Sequence, residues 1–347
     1  IGPTKADVIK NGGTSLAKTD AGRVRAIVVH PTNNNIIYGA FSGGGVWKTS
    51  DGGTSWAPLT DTLGSLSVGA ISLDPNNANT LYLGLGDPFD GTGIGVVKST
   101  DAGVTWSSPV FLGDSTSVTS IAVAPSNSSI ILVSTNAGLY RSINGGSSYS
   151  PVSLSTGQSA TPYVWSLAHA GGNSFVASLE ANKEAASGTT DGQIHYSNDN
   201  GATWSKATGV TKTGGVGRIS LASAPSTPTK IYAMAAVPNA TTSSDLADIF
   251  VSTNAGQTWT AKSANTKRYT KTNTESRDVK TLLNGQGWYN HLVIVDPTNA
   301  NTAYFGGALL LAKTTDSGST YTQKTNWLAQ FSLPYVHADF HAAAMTS

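Results

Sequence analysis

The sequence contains no cysteine, little charge and no long apolar run. Without cysteine, disulfide scaffolds and thiolate metal sites are excluded. Only 12% of the 347 residues are charged, 21 Lys and Arg against 20 Asp and Glu, so no net field attracts nucleic acid or an anionic membrane surface. Apolar runs such as AIVV and LVIV have the length of a strand, not the roughly 20 residues of a spanning helix. We therefore expect no nucleic-acid partner and no membrane insertion.

A short pattern recurs six times along the chain. The copies are TSDGGTSW (49–56), STDAGVTW (99–106), SINGGSSY (142–149), SNDNGATW (197–204), STNAGQTW (252–259) and TTDSGSTY (314–321). Their Asp or Asn residues are 43 to 62 residues apart, in or just above the range of propeller repeats, about 40–50 residues. The segments between them, such as VGAISLDPNNANTLYLGL, predict strand, turn and strand. Each repeat therefore holds four antiparallel strands, the content of one propeller blade.

Turn chemistry explains the repeated pattern. An Asp or Asn side chain can accept a hydrogen bond from the backbone two residues on, and Gly supplies the positive φ. The Trp or Tyr that follows offers a large ring to bury against its own or a neighbouring blade. We interpret the aspartates of these copies as turn formers, not catalysts: Asp51, Asp101, Asp199 and Asp316. The tryptophans predicted to be largely buried are Trp56, Trp106, Trp204 and Trp259.

The pattern S-x-D-x-G-x-T-W resembles the Asp-box, or BNR, repeat of sialidases, family 74 xyloglucanases, sortilin-type receptors and many secreted bacterial proteins. The stretch HPTNNNIIYGAFSGGGVWKTSDGG is similar to the family 74 enzymes in particular, and the style of the chain is closest to secreted bacterial BNR-repeat proteins. The resemblance implies a β-propeller in which the box is a peripheral hairpin without catalytic chemistry. It also implies an extracellular or cell-surface protein.

These observations predict an all-β chain with one domain over residues 1–347, a single seven-bladed β-propeller with four-stranded antiparallel blades. The seventh blade is expected to combine N-terminal and C-terminal strands, because closure of the ring removes open strand edges. VIKNGGTSLAKT (8–19) resembles a decayed box, and VHADFHAAAM (336–345) aligns with other first strands. Since the chain begins at Ile1 without a methionine, the hypothesis of a fragment of a longer polypeptide stays open.

The C-terminal stretch contains His337, Asp339 and His341. On a strand, residues two apart share a face at about 6.5–7 Å, and such a histidine pair is a workable zinc site. The alternative, a hydrogen-bonded polar row, is favoured because no further ligand cluster is visible. We expect no metal or other cofactor, with a structural calcium as the open alternative in the Gly-rich turn that contains Asp87 and Asp90.

The longest insertion lies between the fifth and sixth copies. It concentrates charge in a chain otherwise poor in charge and ends in Trp288 and Tyr289. We predict a ligand-binding surface made of this aromatic pair with Arg268 and Arg277. The alternative is a solvated loop followed by a core Trp288.

The resemblance leaves several functions open. Sialidases need an arginine triad, and this chain has six arginines and lacks the Arg-Ile-Pro signature, while sortilin-type receptors carry a cysteine-rich module that is absent here. Family 74 enzymes use two carboxylates as general acid and base in a cleft between two propellers. The candidate carboxylates are Asp87, Asp90, Glu180 and Asp339, but no spacing singles out a pair.

We therefore predict a binding or scaffold module whose partner is a glycan or an extracellular protein. One alternative is a glycoside hydrolase of xyloglucanase (endo-β-glucanase) type. A second is an assembly factor similar to the propeller that helps build photosystem II. The oligomeric state is left open.

Overall fold

The computed structural model describes residues 6–9, 15–18, 23–155, 157, 161–180, 192–238, 245–270, 278–327, 333–336 and 339–346. Their regular structure consists of β-strands and two short 3₁₀ helices, Ala264–Thr266 and Val279–Thr281. The predicted all-β class is confirmed. Within these ranges no helix is long and apolar enough to cross a membrane.

The chain divides into two compact units, Ile1–Val118 and Thr119–Ser347. In the first unit, β1 (Ala6–Ile9) and β2 (Ser15–Lys18) form a two-stranded antiparallel sheet. Blade 1 has the order β3 (Val24–His30), β4 (Asn33–Phe41), β5 (Gly45–Thr49) and β6 (Ala57–Pro58). Blade 2 has the order β7 (Val68–Asp74), β8 (Asn77–Leu85) and β9 (Val96–Ser99).

The second unit contains four four-stranded antiparallel sheets. Blade 3 is β10 (Val118–Val123), β11 (Ile131–Thr135), β12 (Gly138–Ser142) and β13 (Ser150–Val152). Blade 4 is β14 (Tyr163–His169), β15 (Phe175–Glu180), β16 (Gly192–Ser197) and β17 (Ser205–Lys206). Blade 5 is β18 (Ile219–Ala224), β19 (Thr227–Ala236), β20 (Leu246–Ser252) and β21 (Thr260–Ala261). Blade 6 is β22 (Leu292–Val295), β23 (Ala303–Gly306), β24 (Leu311–Thr314) and β25 (Thr322–Gln323).

The described residues form six blades, so the prediction of seven is wrong. Strand β2 begins within the box-like NGGTSL (11–16), and β1 and β2 pair only with each other in the described part of the chain. Residues 339–346 form no strand. Asp339 has a φ of 78°, a left-handed conformation that interrupts an extended chain. Its N–H donates to the Ala308 carbonyl at 2.9 Å, and the Phe340 N–H donates to the Gly307 carbonyl at 3.2 Å. The C-terminal segment therefore lies against blade 6 and does not begin another blade.

The second Asp box shows how each repeated turn is held. Asp101 accepts hydrogen bonds from the Thr105 N–H at 2.9 Å and from the Ser99 hydroxyl at 2.8 Å. Ser99 in turn accepts the N–H of Gly103, whose φ is 90°. The hydrogen bonds from Thr105, followed by that from Ser99, lower the pKa of Asp101 to about 2. The interpretation of this aspartate as a turn former is confirmed.

The box tryptophans differ in burial. Trp204 and Trp259 are buried, as predicted. Trp56 and Trp106 are half-buried, and Trp106 packs against the apolar core of blades 1 and 2. In all four, the indole N–H is satisfied by a backbone carbonyl; for Trp106 this is the carbonyl of Leu59 at 3.1 Å.

Candidate functional site

Polar and aromatic side chains collect where the first strands of blades 4, 5 and 6 begin. Strands β14, β18 and β22 lie side by side in this order, so residues at their starts come together. We call the resulting group the strand-start cluster. It comprises Trp165, Glu180, Arg218, Asp245, Trp288, Tyr289, Asn290, His291, Asp339 and His341.

Arg218 connects two parts of this cluster. Its Nη1 donates to the backbone carbonyls of Trp288 and Tyr289, each at 2.9 Å. The guanidinium carbon also lies 4.3 Å from the centroid of the Trp165 ring, within the range of a cation–π interaction. Because Arg218 is only 7% exposed, this buried cation holds the 288–289 backbone in one position against β14.

Trp288 and Tyr289 form an aromatic platform. The Trp288 side chain is 56% exposed, and its ring lies 5.1 Å from the Tyr289 ring at 35°. Tyr289 also contacts His341 edge-to-face at 4.5 Å. Trp288 is therefore not a core residue, and an exposed ring on a restrained backbone is suited to stacking on a ligand.

Two of the candidate carboxylates lie in this cluster. The Trp165 Nε1–H donates to Glu180 Oε2 at 2.8 Å. The Asn290 side-chain amide donates to Asp339 Oδ1 at 2.6 Å. Each carboxylate is thus held by a different neighbour. A catalytic role of Glu180 and Asp339 stays a prediction.

The other two candidate carboxylates lie together in the first unit. Asp87 is buried and forms ion pairs with Arg23 at 2.8 Å and Arg25 at 3.4 Å. Asp90 is 59% exposed, also pairs with Arg23, and accepts a hydrogen bond from the Ser42 hydroxyl at 3.1 Å. Since two guanidinium groups already compensate Asp87, its role in this turn is that of a structural anion.

Of the remaining predicted site residues, Arg268 is not part of the strand-start cluster, and two others lie outside the described residues. Arg268 forms an ion pair with Asp278 at 3.2 Å. Arg277 and His337 lie outside the described residues. Asp339 contacts Asn290 and His341 contacts Tyr289. Among the described residues no group of three or more His, Asp or Glu side chains is placed to hold a metal ion.

Sequence reasoning did not select Trp165, Arg218, Asp245 or His291. A usable signal for Arg218 is a basic residue directly before an apolar strand in a chain with little charge, as in VGRISLAS. A similar signal lies at the start of β3 in AGRVRAIVV, where Arg23 precedes the strand, Arg25 is its second residue, and both form ion pairs with Asp87. No local pattern marks Asp245 or His291, because their burial depends on the neighbouring blade.

Burial sets the charge states beneath the platform. Asp245 is fully buried, its Oδ2 accepts the Gly287 N–H at 2.8 Å, and burial raises its pKa to about 6. Burial, and then the charge of Arg218, lower the pKa of His291 well below its usual range. At neutral pH we therefore expect an ionised Asp245 beside the 285–287 turn and a neutral His291.

Replacement of Asp245 by asparagine tests this electrostatic arrangement. The raised pKa means that the folded state binds the proton more tightly than the unfolded state does. The stabilisation from this proton is full below pH about 4 and is lost as the pH rises through about 6. The asparagine side chain would keep the shape without the charge. The free energy of unfolding of Asp245→Asn, minus that of the unmodified protein, measures the effect of the charge. We expect this difference to increase by about 2–3 kcal/mol as the pH rises from about 4 to about 7.5.

Urea denaturation over this pH range measures the difference. Asp278→Asn is the matched control, because it removes the charge of a partly exposed aspartate, whose ion pairs contribute only about 0–1 kcal/mol. A constant offset between Asp245→Asn and the unmodified protein at all pH values would contradict the assignment.

Comparison with known proteins agrees with the repeat structure. The family model for the BNR/Asp-box repeat matches residues 195–206. This stretch contains the fourth box, in which Asp199 accepts the Thr203 N–H at 2.9 Å and its hydroxyl at 2.6 Å. The chain is a BNR-repeat β-propeller.

This propeller resembles GH74 enzymes. It is 34% identical over 77 residues to a probable oligoxyloglucan-reducing end-specific xyloglucanase of Neosartorya fischeri, a match that covers 21% of this chain and 9% of that protein. The Niastella koreensis GH74 enzyme has a similar structure, with a TM-score of 0.63 and 22% identity, over 87% of this chain and 45% of that chain. The propeller thus spans less than half of this GH74 enzyme.

YCF48 bound to D1 peptide is a second type of structural relative. Its TM-score is 0.54 at 16% identity, and the match covers 87% of this chain and 82% of that chain. At identities this low, structural similarity shows a shared fold. The function has to be inferred from the residues of the site.

Proposed function

We propose that this propeller is a carbohydrate-binding module and that its ligand stacks on the platform of Trp288 and Tyr289. The observation that carries the proposal is the exposed ring of Trp288. The backbone carbonyl of this residue accepts a hydrogen bond from Arg218, which restrains its position. A rigid aromatic ring loses little conformational entropy on binding, so its contact area contributes efficiently to affinity.

The polar groups beside the platform fit a ligand rich in hydroxyl groups. Glu180 and Asp339 carry carboxylate oxygens, which accept hydrogen bonds from sugar hydroxyls. The local similarity to a protein named as an oligoxyloglucan-reducing end-specific xyloglucanase supports xyloglucan oligosaccharides as the first ligands to test. An extracellular or cell-surface location, where such glycans occur, is part of this proposal.

Binding is favoured over hydrolysis because the candidate carboxylates have other partners. Inverting hydrolysis needs a general acid and a general base about 6.5–9.5 Å apart on opposite sides of the scissile bond. Glu180 is bonded to Trp165 and Asp339 to Asn290, while Asp87 is compensated by two arginines. A xyloglucanase activity of this chain would release reducing ends from xyloglucan, and we expect no such release.

Replacement of Trp288 by alanine is expected to weaken binding of xyloglucan oligosaccharides by about tenfold to a hundredfold, or roughly 1.4–2.8 kcal/mol. The melting temperature should change little, because the ring is mostly in solvent. Isothermal titration calorimetry and thermal unfolding measure the two effects on the same sample.

Trp327→Ala is the control, since Trp327 is another exposed tryptophan of the same unit and is 38% exposed. It should leave the affinity unchanged. If Trp288→Ala retains full affinity, or if neither xyloglucan nor any glycan of an array binds the unmodified protein, the proposal is wrong.

A peptide-binding scaffold is the second candidate. It is favoured by the similarity to YCF48 bound to D1 peptide, which extends over most of both chains. The chain's own C-terminal segment also binds to blade 6 through its backbone, since the N–H groups of Asp339 and Phe340 donate hydrogen bonds to the carbonyls of residues 307–308. A peptide array distinguishes this candidate: peptide ligands without glycan ligands would favour the scaffold.

A further inference from the structure

Three lysines converge on the turn of the sixth Asp box. One belongs to β19 and two to the charged insertion after β21, and we call them the lysine cluster: Lys230, Lys262 and Lys267. Lys230 Nζ donates to the Ser317 hydroxyl at 2.5 Å. Lys267 Nζ donates to the carbonyls of the next two residues of the turn, each at 2.8 Å. The Lys262 stem packs on the same turn, because a Cβ on Gly318 would lie only 3.0 Å from its Cγ.

The ammonium groups of the lysine cluster keep donors for a ligand. An ammonium group has three N–H donors. Lys230 uses two of them, on the Ser317 hydroxyl and on Oδ1 of Asn301, and Lys267 uses two on the turn carbonyls. Within the described residues the Lys262 ammonium makes no hydrogen bond. Each of the three lysines therefore has at least one N–H left for an anion.

The described residues provide no carboxylate partner for the lysine cluster. None of its lysines forms an ion pair with a described Asp or Glu. Asp316 belongs to the same turn, but its oxygens accept the N–H and the hydroxyl of Thr320 and the hydroxyl of Thr314, at 2.7–2.9 Å. The like charges affect each other, since burial, and then the charge of Lys262, lower the pKa of Lys230. The turn therefore carries an excess of positive charge.

The lysine cluster lies at the opposite end of the strands from the aromatic platform. Arg218, which holds the platform, precedes the start of β18, whereas Lys230 lies near the start of β19, which runs antiparallel to β18. In blade 6 the platform residues precede the start of β22. The sixth box follows the end of β24, and β24 runs parallel to β22 because each is antiparallel to β23. A ligand at the lysine cluster therefore does not compete with a ligand at the platform.

We propose that the lysine cluster binds an acidic polysaccharide through carboxylate or sulfate groups. The excess of positive charge selects an anion. A chain that carries an acidic group on successive sugars can contact several lysines at once, so its binding gains from multivalency. The whole chain has a formal net charge of +1, which disfavours nucleic acid, because surfaces that bind it carry an extended basic stripe. The site goes beyond the carbohydrate-binding proposal, because it shares no residue with the strand-start cluster.

Calorimetric titrations with trigalacturonate and with a heparin tetrasaccharide test the site and distinguish carboxylate from sulfate groups. We expect at least one of the two to bind, with an affinity that falls as the salt concentration rises. Fully methyl-esterified trigalacturonate has the same sugar units without the charge and should not bind. Lys262→Gln should weaken binding by about tenfold. Lys206→Gln is the matched control, because Lys206 is an exposed lysine of β17 in blade 4, and it should bind like the unmodified protein.

Two further measurements do not depend on the folding of Lys262→Gln. In the unmodified protein, the acidic probe that binds should shift the amide resonances of residues 317–319. Trp288→Ala should bind this probe with unchanged affinity, which separates the lysine cluster from the platform.

Several results would each overturn the proposal. They are the absence of binding by both acidic probes, equal affinity for the methyl ester, full affinity of Lys262→Gln, unshifted resonances of residues 317–319 at saturation, and loss of binding in Trp288→Ala. Tighter binding of an oligodeoxythymidylate than of either acidic saccharide would assign the cluster to nucleic acid instead.

Discussion

Replacement of Trp259 by alanine is expected to lower the free energy of unfolding by about 3–5 kcal/mol. The ring is 5% exposed and belongs to the apolar core between blades 4 and 5, which also contains Val176 and Phe250. Its indole N–H donates to the Gly256 carbonyl at 2.9 Å. The box turn is pressed so closely onto blade 4 that a Cβ on Gly256 would lie 2.2 Å from Val176. Because this turn has no room to move inward, the deleted ring leaves a cavity that the structure cannot fill.

Urea denaturation followed by circular dichroism measures this loss. Trp288→Ala is the internal control, since it removes the same side chain from an exposed position. A loss below about 1 kcal/mol for Trp259→Ala would show that the box ring does not hold the two blades together.

Replacement of Asp87 by alanine is expected to cost about 3–5 kcal/mol through a different mechanism. The Asp87 side chain is fully buried, and that of Arg25, its ion-pair partner at 3.4 Å, is also buried, with 7% of its surface exposed. Removal of the carboxylate leaves the Arg25 guanidinium buried without its counter-ion. Asp87 also accepts the Phe89 N–H at 2.8 Å, and both arginines lie over the Phe89 ring. The Gly-rich turn should therefore lose its order together with the ion pairs.

Asp90→Ala is the matched control for this prediction. Asp90 also pairs with Arg23, but it is mostly exposed, and exposed ion pairs contribute about 0–1 kcal/mol. Equal losses for the two variants, or a loss below about 1 kcal/mol for Asp87→Ala, would contradict the role of Asp87 as the buried counter-ion.

The strands and box turns were predictable because their chemistry is local. The Asp101 turn uses Ser99, Gly103 and Thr105, all within four residues of the aspartate. Alternating apolar segments predicted strands because neighbouring side chains on a strand point to opposite faces. Such signals lie within a short window of sequence and need no knowledge of distant residues.

The number of blades was not predictable from the same signals. The box-like NGGTSL and the strand-like VHADFHAAAM both suggested parts of a seventh blade. Pairing of strands so far apart in sequence depends on long-range contacts, and local patterning does not encode them. In the structure, the left-handed conformation of Asp339 and the backbone bonds of residues 339–340 to residues 307–308 place the C-terminal segment against blade 6.

The sequence by itself determined the all-β class, the turns at the Asp boxes and the aromatic pair of Trp288 and Tyr289, because each depends on residue type and short spacing. Only the tertiary structure decided which side chains surround that pair. Arg218 reaches the 288–289 carbonyls from 70 residues away, and Asp245 lies under the 285–287 turn from the preceding blade. Their charge states follow from burial, and burial is a property of packed blades that no single stretch of sequence contains.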